Sequence, residues 1–540
     1  MYLVTADEMR EMDRRTIEEF ALPGRVLMEN AGRGAVRFFL EFFGEAGKKS
    51  VAVIAGSGNN GGDGFVMARC LHQQGIPVTV YLLAERNRVK GDARVNLELL
   101  DALAVPVVEI TDISAFQAAD GAMGHHHIWI DALLGTGLNS DVRGLFQHAI
   151  DRINELNRPV FSVDIPSGVN SDTGQICGTC IHASATATFA FAKSGHLLHP
   201  GAEHTGRLRI VDIGVPPIIA EAVGARCRLL TATDIAGRLP RRQLTAHKGT
   251  TGHVMVVAGS LGKTGAAAMT ALSAMRAGAG LVTLAVAKSL NPVLEPQVTE
   301  VMTSPLPETV DGTLDETALD RILSLAADKK CIALGPGLGT AEETSNLVRR
   351  LVAESPVPLV IDADGLNCLA GGLDAVANAR VPVVLTPHPG EMSRLSGVSS
   401  AEIQADRVGS ARSFAMKCGV FLVLKGAATV VAASDGTCFI NPTGNPGMAS
   451  GGMGDVLTGL IAGLLAQGAT PLDAACTGVF LHGRSADVLA GGIGPFGYLA
   501  TEVMAEIPAR LAELMSGQSF TSGSWPVTGI PFLPLQGPVG

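Results

Sequence analysis

Between Gly444 and Gly459 the chain reads GNPGMASGGMGDVLTG, six glycines in sixteen residues, and Val456, Leu457, Leu460, Ile461, Leu464 and Leu465 run on at helical spacing. Glycines crowded ahead of a helix leave backbone N–H groups uncovered, and the helix N-terminus adds partial positive charge. Together they make a seat for a phosphate group. Asp455 stands at the mouth of that seat. A carboxylate is unfavourable beside a bound phosphate unless it does chemistry there, such as taking a proton from a nearby hydroxyl. The other reading is a helix cap, a task Asp performs well.

Upstream of the seat, short apolar runs alternate with helical stretches, the pattern of an α/β domain. Strands are predicted at Val254–Ala258, Leu281–Val286, Cys331–Leu334, Leu359–Ile361, Val383–Leu385 and Val420–Leu424, with a helix over Ala266–Ala277. The loops between them carry GPGLG at 335–339, DADGLN at 362–367, TPHPGEM at 386–392 and KGAAT at 425–429. The loop GSLGKTG invites a Walker A reading, but the spacing fails, because Val257 stands where the first glycine is required.

The first half repeats the α/β pattern independently. Residues 5–43 predict two amphipathic helices broken at Pro23 and Gly24. Val51–Ala55 then predicts a buried strand, Gly56–Gly64 a glycine-rich loop, Phe65–Gln74 a helix and Val78–Leu83 a second strand. Gly56, Gly58 and Gly61 satisfy G-x-G-x-x-G, with Glu85 ending the next strand, which read mechanically is a dinucleotide fingerprint with a dehydrogenase behind it. The loop nevertheless continues into Asn59, Asn60 and Asp63, more polar than phosphate seating needs. Two later strand ends share that chemistry: Asp131 before Gly135, Thr136 and Gly137, and Asp164 before Ser167 and Gly168. In a doubly wound sheet such ends converge on one crevice. Asn60, Asp131, Asp164 and Ser167 would then form an oxygen-rich pocket suited to a hard cation or a sugar-phosphate ligand, not zinc. Turn formation alone is the competing account of these Asp and Asn residues.

At 540 residues the chain exceeds one ordinary domain. A net charge of −10, without a basic run, weighs against nucleic acid, and 4% aromatics against a base-stacking platform. The opening MYLVTADEMREMDRR is acidic where a signal peptide is basic, and no apolar run reaches eighteen residues, so a cytoplasmic, reduced protein is expected. Cys177 and Cys180 make a lone C-x-x-C without a second pair, and His125–His127 reads as a solvated loop; neither by itself indicates a metal. Glu221–Arg228 reads as a link between halves, and the Gly-, Pro- and Ser-rich stretch 517–540 as a disordered tail.

These motifs, taken in order over roughly residues 5–515, resemble the fused bacterial NAD(P)H-hydrate repair enzymes, an epimerase followed by a dehydratase. GSGNNGGDG, DALLGTGLNSD and VDIPSGVNSDTG are similar to the epimerase signatures. HKGTTGHVMVVAGS, GPGLG, TPHPGEM, KGAAT and GNPGMASGGMGDVLTG are similar to the dehydratase signatures. The resemblance implies a Rossmann-like domain over 1–222 and a ribokinase-like domain over 226–516. It makes the ligand of the first glycine loop a damaged dinucleotide, so the dinucleotide fingerprint was half right and the dehydrogenase inference falls. By position it implies potassium held by Asn60, Asp131 and Ser167. Hydrated NAD(P)H would be contacted by Asn59, Asn60, Gly61, Gly62 and Asp63, by Gly135, Thr136, Gly137, Leu138, Asn139, Ser140 and Asp141, and by Asp164, the candidate acid/base group. In the second domain it implies hydrated NAD(P)H against Ala266, Gly337, His388 and Asp455, with Asp455 as base. The adenine nucleotide would lie against Lys425, Gly426, Ala427, Ala428, Thr429 and Gly454. ADP as phosphoryl donor, Mg²⁺ for its phosphates and a homo-oligomer complete the implied set. Two readings compete: a vitamin or sugar kinase in the second half, and a protein- or RNA-binding module in the first.

Overall fold

The structure, a computed structural model, describes residues 1–516; the tail expected at 517–540 lies outside the described residues. The chain divides into two compact units, one over Tyr2–Cys227 and one beginning at Arg228.

In the first unit seven parallel strands lie in the order Val107–Glu109, Val78–Leu82, Val51–Ala55, Ile128–Ala132, Val160–Val163, Ala185–Phe189, Arg207–Val211. By sequence that is 3-2-1-4-5-6-7, the Rossmann order with one more strand. The central strands Val51–Ala55, Ile128–Ala132 and Val160–Val163 are buried throughout because both faces are covered. Phe38, Phe39, Phe65 and Phe161 pack on one face, and Ile54, Tyr81, Trp129 and Ile150 on the other. The order reverses between Val51–Ala55 and Ile128–Ala132, so the crevice opens where the Gly56 and Leu133 turns diverge.

The expected glycine-rich loop at 56–64 is a correction. The helix begins at Asn59 and runs to Gln73, absorbing Gly61, Gly62 and Gly64. These glycines serve close approach, not loop freedom. A Cβ on Gly61 would stand 2.0 Å from the Gly56 carbonyl oxygen, and one on Gly64 would stand 2.6 Å from the Ala132 Cβ. Glycine's helix cost of about 1 kcal/mol is the smaller term against such overlap. The expected link at 221–228 is also corrected: Pro217–Val223 is a helix and Cys227–Leu229 a strand.

In the second unit the sheet runs Met302–Leu306, Leu281–Ala287, His253–Val257, Cys331–Leu334, Leu359–Ile361, Val383–Leu385, Phe421–Leu424, all parallel. Val430–Ala432 and Cys438–Ile440 then continue it antiparallel. The reversal again falls beside the first strand, His253–Val257. Helix Met453–Ala466, which follows the glycine-rich stretch, packs against helix Thr264–Arg276 at backbone distance. A Cβ on Gly459 would meet the Thr270 carbonyl oxygen at 2.1 Å, and Ser273 Oγ donates to the Val456 carbonyl at 2.6 Å. Gly459 therefore belongs to helix packing and not to the anion seat. No helix of the described residues is long and apolar enough to cross a membrane.

Candidate active sites

Asp164 ends the strand Val160–Val163 with φ at +66°, a left-handed backbone that a non-glycine residue holds only when its surroundings impose it. Its carboxylate accepts from Lys193 Nζ at 2.5 Å and from Thr188 Oγ1 at 3.1 Å. The Lys193 side chain is 1% exposed and spends its other protons on Thr188 Oγ1 and the Phe189 carbonyl. His196 closes the group. Its Nδ1 accepts from the Lys193 N–H at 3.0 Å, so Nε2 carries the proton donated to the Asp164 carbonyl at 2.8 Å. Burial, aided by Lys193, pushes the imidazole down to about 4 and keeps it neutral.

Three carboxyls feel the charge of this one lysine, Asp164 by direct contact, and the surroundings drive them apart. Burial pushes Asp164 up, but the charge and hydrogen bond of Lys193 outweigh it and leave Asp164 below the usual carboxylate range. Asp63, buried on helix Asn59–Gln73, is raised well above that range by burial and by the Asp164 charge. Asp13 is raised to about 6, chiefly by burial, and its Oδ1 has no hydrogen-bond partner. One carboxylate held ionised beside one carboxyl held neutral is the arrangement acid–base catalysis requires. The sequence pattern pointed to Asp63 and Asp164; Lys193, His196 and Asp13 were missed. The available signal was one lysine in the otherwise apolar run FAFAKSG.

Asp131 is fully buried at the end of Ile128–Ala132. It accepts from Ser162 Oγ at 2.9 Å, the Ser167 N–H at 2.8 Å, Ser167 Oγ at 2.5 Å and the Leu133 N–H at 3.3 Å. Burial raises its carboxyl, and these donors, all neutral, only partly offset that. Asn60 stands beside Gly135, with both amide atoms buried and unpartnered. An uncompensated buried carboxyl and an orphaned amide oxygen fit a hard monovalent cation. Asn59, Gly137, Asn139, Ser140 and Asp141 are exposed along the rim, while Gly61 and Gly62 are buried beneath it, with Gly135, Thr136 and Leu138 part-buried between.

In the second unit the cap reading of Asp455 fails. The helix N-cap is Gly452, at φ +90°, and no side chain caps it. Asp455 sits in the first turn, half-buried, with its carboxyl raised to about 6 by burial and by Asp362, against the opposing pull of Lys425. Lys425 donates to Asp362 Oδ1 at 2.5 Å and lies 3.7 Å from Glu391; Thr458 Oγ1 donates to Asp362 Oδ2 at 2.9 Å. A Cβ on Gly454 would be 3.2 Å from Asp362 Oδ2 and 3.4 Å from Lys425 Nζ, so the first helical turn rests on this ion pair. Of the nucleotide set, Gly426, Ala427, Ala428 and Thr429 follow Lys425, and Ala428 has φ +53°. Gly337 and Ala266 adjoin, a Gly337 Cβ reaching 3.1 Å from that of Ala266. Exposed His388 caps its own helix, its Nδ1 accepting from the Gly390 N–H. Asp362, Glu391 and Thr458 were not singled out from sequence, although all three lie inside motifs that were. Their part is visible only once the strands align.

Among the described residues the one Cys/His/carboxylate cluster spaced for a metal is Cys180 with His182 and His204; Cys177 and His125–His127 stand apart from it. His126 is not in solvent as expected: its Nε2 lies 3.0 Å from the Tyr81 hydroxyl, against Trp129.

The profile described as NAD(P)H-hydrate dehydratase matches residues 254–509, and that described as YjeF-related protein N-terminus matches residues 24–195. The bifunctional NAD(P)H-hydrate repair enzyme of Moorella thermoacetica is 44% identical over 95% of this chain and 97% of its own length. That of Escherichia coli is 36% identical over 93% and 92%. The chain belongs to the bifunctional NAD(P)H-hydrate repair enzymes. Among solved structures, the ADP/ATP-dependent NAD(P)H-hydrate dehydratase from Bacillus subtilis, co-crystallised with ATP and Mg²⁺, is 33% identical over 53% of this chain and 98% of that one, with a TM-score of 0.45. A ribokinase-like superfamily protein from Enterococcus faecalis is 26% identical over 53% and 96%, with a TM-score of 0.47. In a repair enzyme the two carboxyl clusters described above lie in different units, each at the carboxyl ends of its own strands.

Proposed function

We propose that the first unit interconverts the C6 epimers of hydrated NAD(P)H and that the second dehydrates the S epimer at the expense of ADP. The observation that carries this reading is the likeness to bifunctional repair enzymes over both halves at once. The domains would be 1–222 and 226–516.

For epimerisation, ionised Asp164 takes the C6 hydroxyl proton while neutral Asp63 delivers one to N1. The C6–N1 bond breaks with its electrons to nitrogen, leaving an aldehyde. Rotation and reclosure on the other face return both protons. Lys193 holds Asp164 ionised, and Asn59–Asp63, Gly135–Asp141 and Asp164 line the ligand. Asn60, Asp131 and Ser167 would hold potassium, which supplies countercharge to Asp131 in the pocket floor.

For dehydration, Asp455 takes the C6 hydroxyl proton as that oxygen attacks the β-phosphorus of ADP and AMP leaves. The Gly451–Gly454 amides face the charge on the moving group. Phosphate then departs with the C6–O electrons, a proton leaves C5, and NAD(P)H is restored. Asp362, Glu391 and Asp364 are each within reach of a lysine. A magnesium ion would therefore be held mainly by the nucleotide phosphates and water. Ala266, Gly337 and His388 would contact the hydrated ring, and Lys425–Thr429 with Gly454 the nucleotide.

The test is incubation with mixed NADHX epimers, with and without ADP, in potassium and in tetramethylammonium buffers. Without ADP the epimers should equilibrate, more slowly in tetramethylammonium; with ADP both should drain into NADH, AMP and inorganic phosphate. A stable phosphomonoester would make the second unit a small-molecule kinase instead.

The two activities should also part on pH. Asp455 must be ionised, so dehydratase kcat/KM is expected to fall tenfold per pH unit below its carboxyl at about 6. Asp164 lies below the usual carboxylate range and Asp63 well above it, so epimerase activity should persist into acid and decline on the alkaline side as Asp63 ionises. Assays of one preparation at about pH 5 should show epimerase undiminished while dehydratase kcat/KM is down about tenfold; parallel acid limbs would remove the two assignments.

A further inference from the structure

We infer that Cys180, His182 and His204 form a zinc(II) site on the first unit, beside the Ser167–Gly168 turn. The Cys180 Sγ and one nitrogen from each imidazole lie within 4.8 Å of one another. The imidazoles stack at 4.7 Å between centroids and 23° between planes, a face-to-face arrangement that two imidazolium ions would resist. Their backbones are fixed: the Ala183 N–H donates to the His204 carbonyl at 3.0 Å, and the Ile181 N–H to the Ser167 carbonyl at 2.9 Å.

The donor set selects the ion. One sulfur and two imidazole nitrogens suit zinc(II) and exclude magnesium or calcium, which take oxygen. Zinc–sulfur and zinc–nitrogen bonds of about 2.3 and 2.0–2.1 Å bring ligand atoms to about 3.6 Å across a tetrahedron. Cys180 is buried and cannot travel, whereas His182 is exposed and free to swing in. Binding would displace the thiol proton to solvent and leave the fourth position to water. The C-x-x-C motif is thereby split: Cys180 is a ligand, and Cys177 is not. A metal here would join residues 180–182 to the end of helix Gly201–Thr205 and stiffen the segment bonded to Ser167.

The test is titration of chelator-treated, desalted full-length protein with cobalt(II), followed by zinc(II). One equivalent of cobalt should give tetrahedral visible bands with a thiolate charge-transfer band, and zinc should displace it. Cys180→Ala should lose the charge-transfer band, Cys177→Ala should keep it, and His182→Gln should weaken binding at least tenfold. Zinc should raise the melting temperature of the wild type and not that of His182→Gln, a surface change that leaves the core intact if Cys180→Ala does not fold. A cobalt spectrum without the thiolate band, or a band lost in Cys177→Ala and kept in Cys180→Ala, would overturn the assignment.

Discussion

Replacing Asp455 by Asn is expected to lower dehydratase kcat/KM by roughly 10²–10⁴, about 3–5 kcal/mol of transition-state stabilisation, with little change in melting temperature. The small stability effect follows from geometry: Asp455 caps nothing, so no helix-terminal hydrogen bond is lost. Its carboxyl is raised to about 6 by burial beside Asp362, a carboxylate fixed to Lys425. Asn removes a charge that the folded protein holds at a cost, so stability at neutral pH should hold or rise slightly. ADP should bind at least as tightly, because one negative charge near its phosphates is gone. The fall should appear in kcat more than in KM, since proton acceptance belongs to the transition state. Epimerase activity in the same tube should be unchanged. Regeneration of NADH within tenfold of the wild-type rate would deny Asp455 the proton.

Much of this site was legible because glycine spacing and strand periodicity are local. The strands Cys331–Leu334, Leu359–Ile361 and Val383–Leu385 were read with the bounds they have. So was Val51–Ala55. The helical start at Asn59 was not, because sequence treats Gly61, Gly62 and Gly64 as freedom, whereas the fold uses them to let backbones touch. Two candidate readings of one residue were separated only by coordinates: Gly452, and not Asp455, is the cap. Lys193 was invisible for another reason. A lone lysine in an apolar run gains meaning only when Asp164, 29 residues earlier in sequence, meets it in space. The antiparallel strands Val430–Ala432 and Cys438–Ile440 were passed over because they pair directly with each other with no helix between them, outside the strand–helix alternation that marked the others.

Replacing Lys193 by Met should remove epimerase activity to a similar extent, roughly 10²–10⁴, and should do so by changing a protonation state instead of a contact. With the cation gone, burial, the largest influence on Asp164, is opposed mainly by the Thr188 hydrogen bond, and the carboxyl is expected to rise from below the usual range to above it. Leaving that charge buried and unpaired would cost about 3–5 kcal/mol, so the folded protein escapes part of the cost by binding a proton. The base then holds a proton at neutral pH and cannot accept another. The sign of the pH effect follows: residual activity in the Met variant should climb with pH as Asp164 ionises, across a range where the wild type is flat. A purely structural lysine would lower activity without moving that limb. Lys193→Met combined with Asp164→Asn replaces the ion pair by neutral groups, and should recover stability relative to Lys193→Met while remaining inactive at every pH. Dehydratase turnover of S-NADHX in the same preparations reports the second unit and should not change. An epimerase profile in Lys193→Met that keeps the wild-type shape would mean that Asp164 owes its ionisation to something other than this lysine.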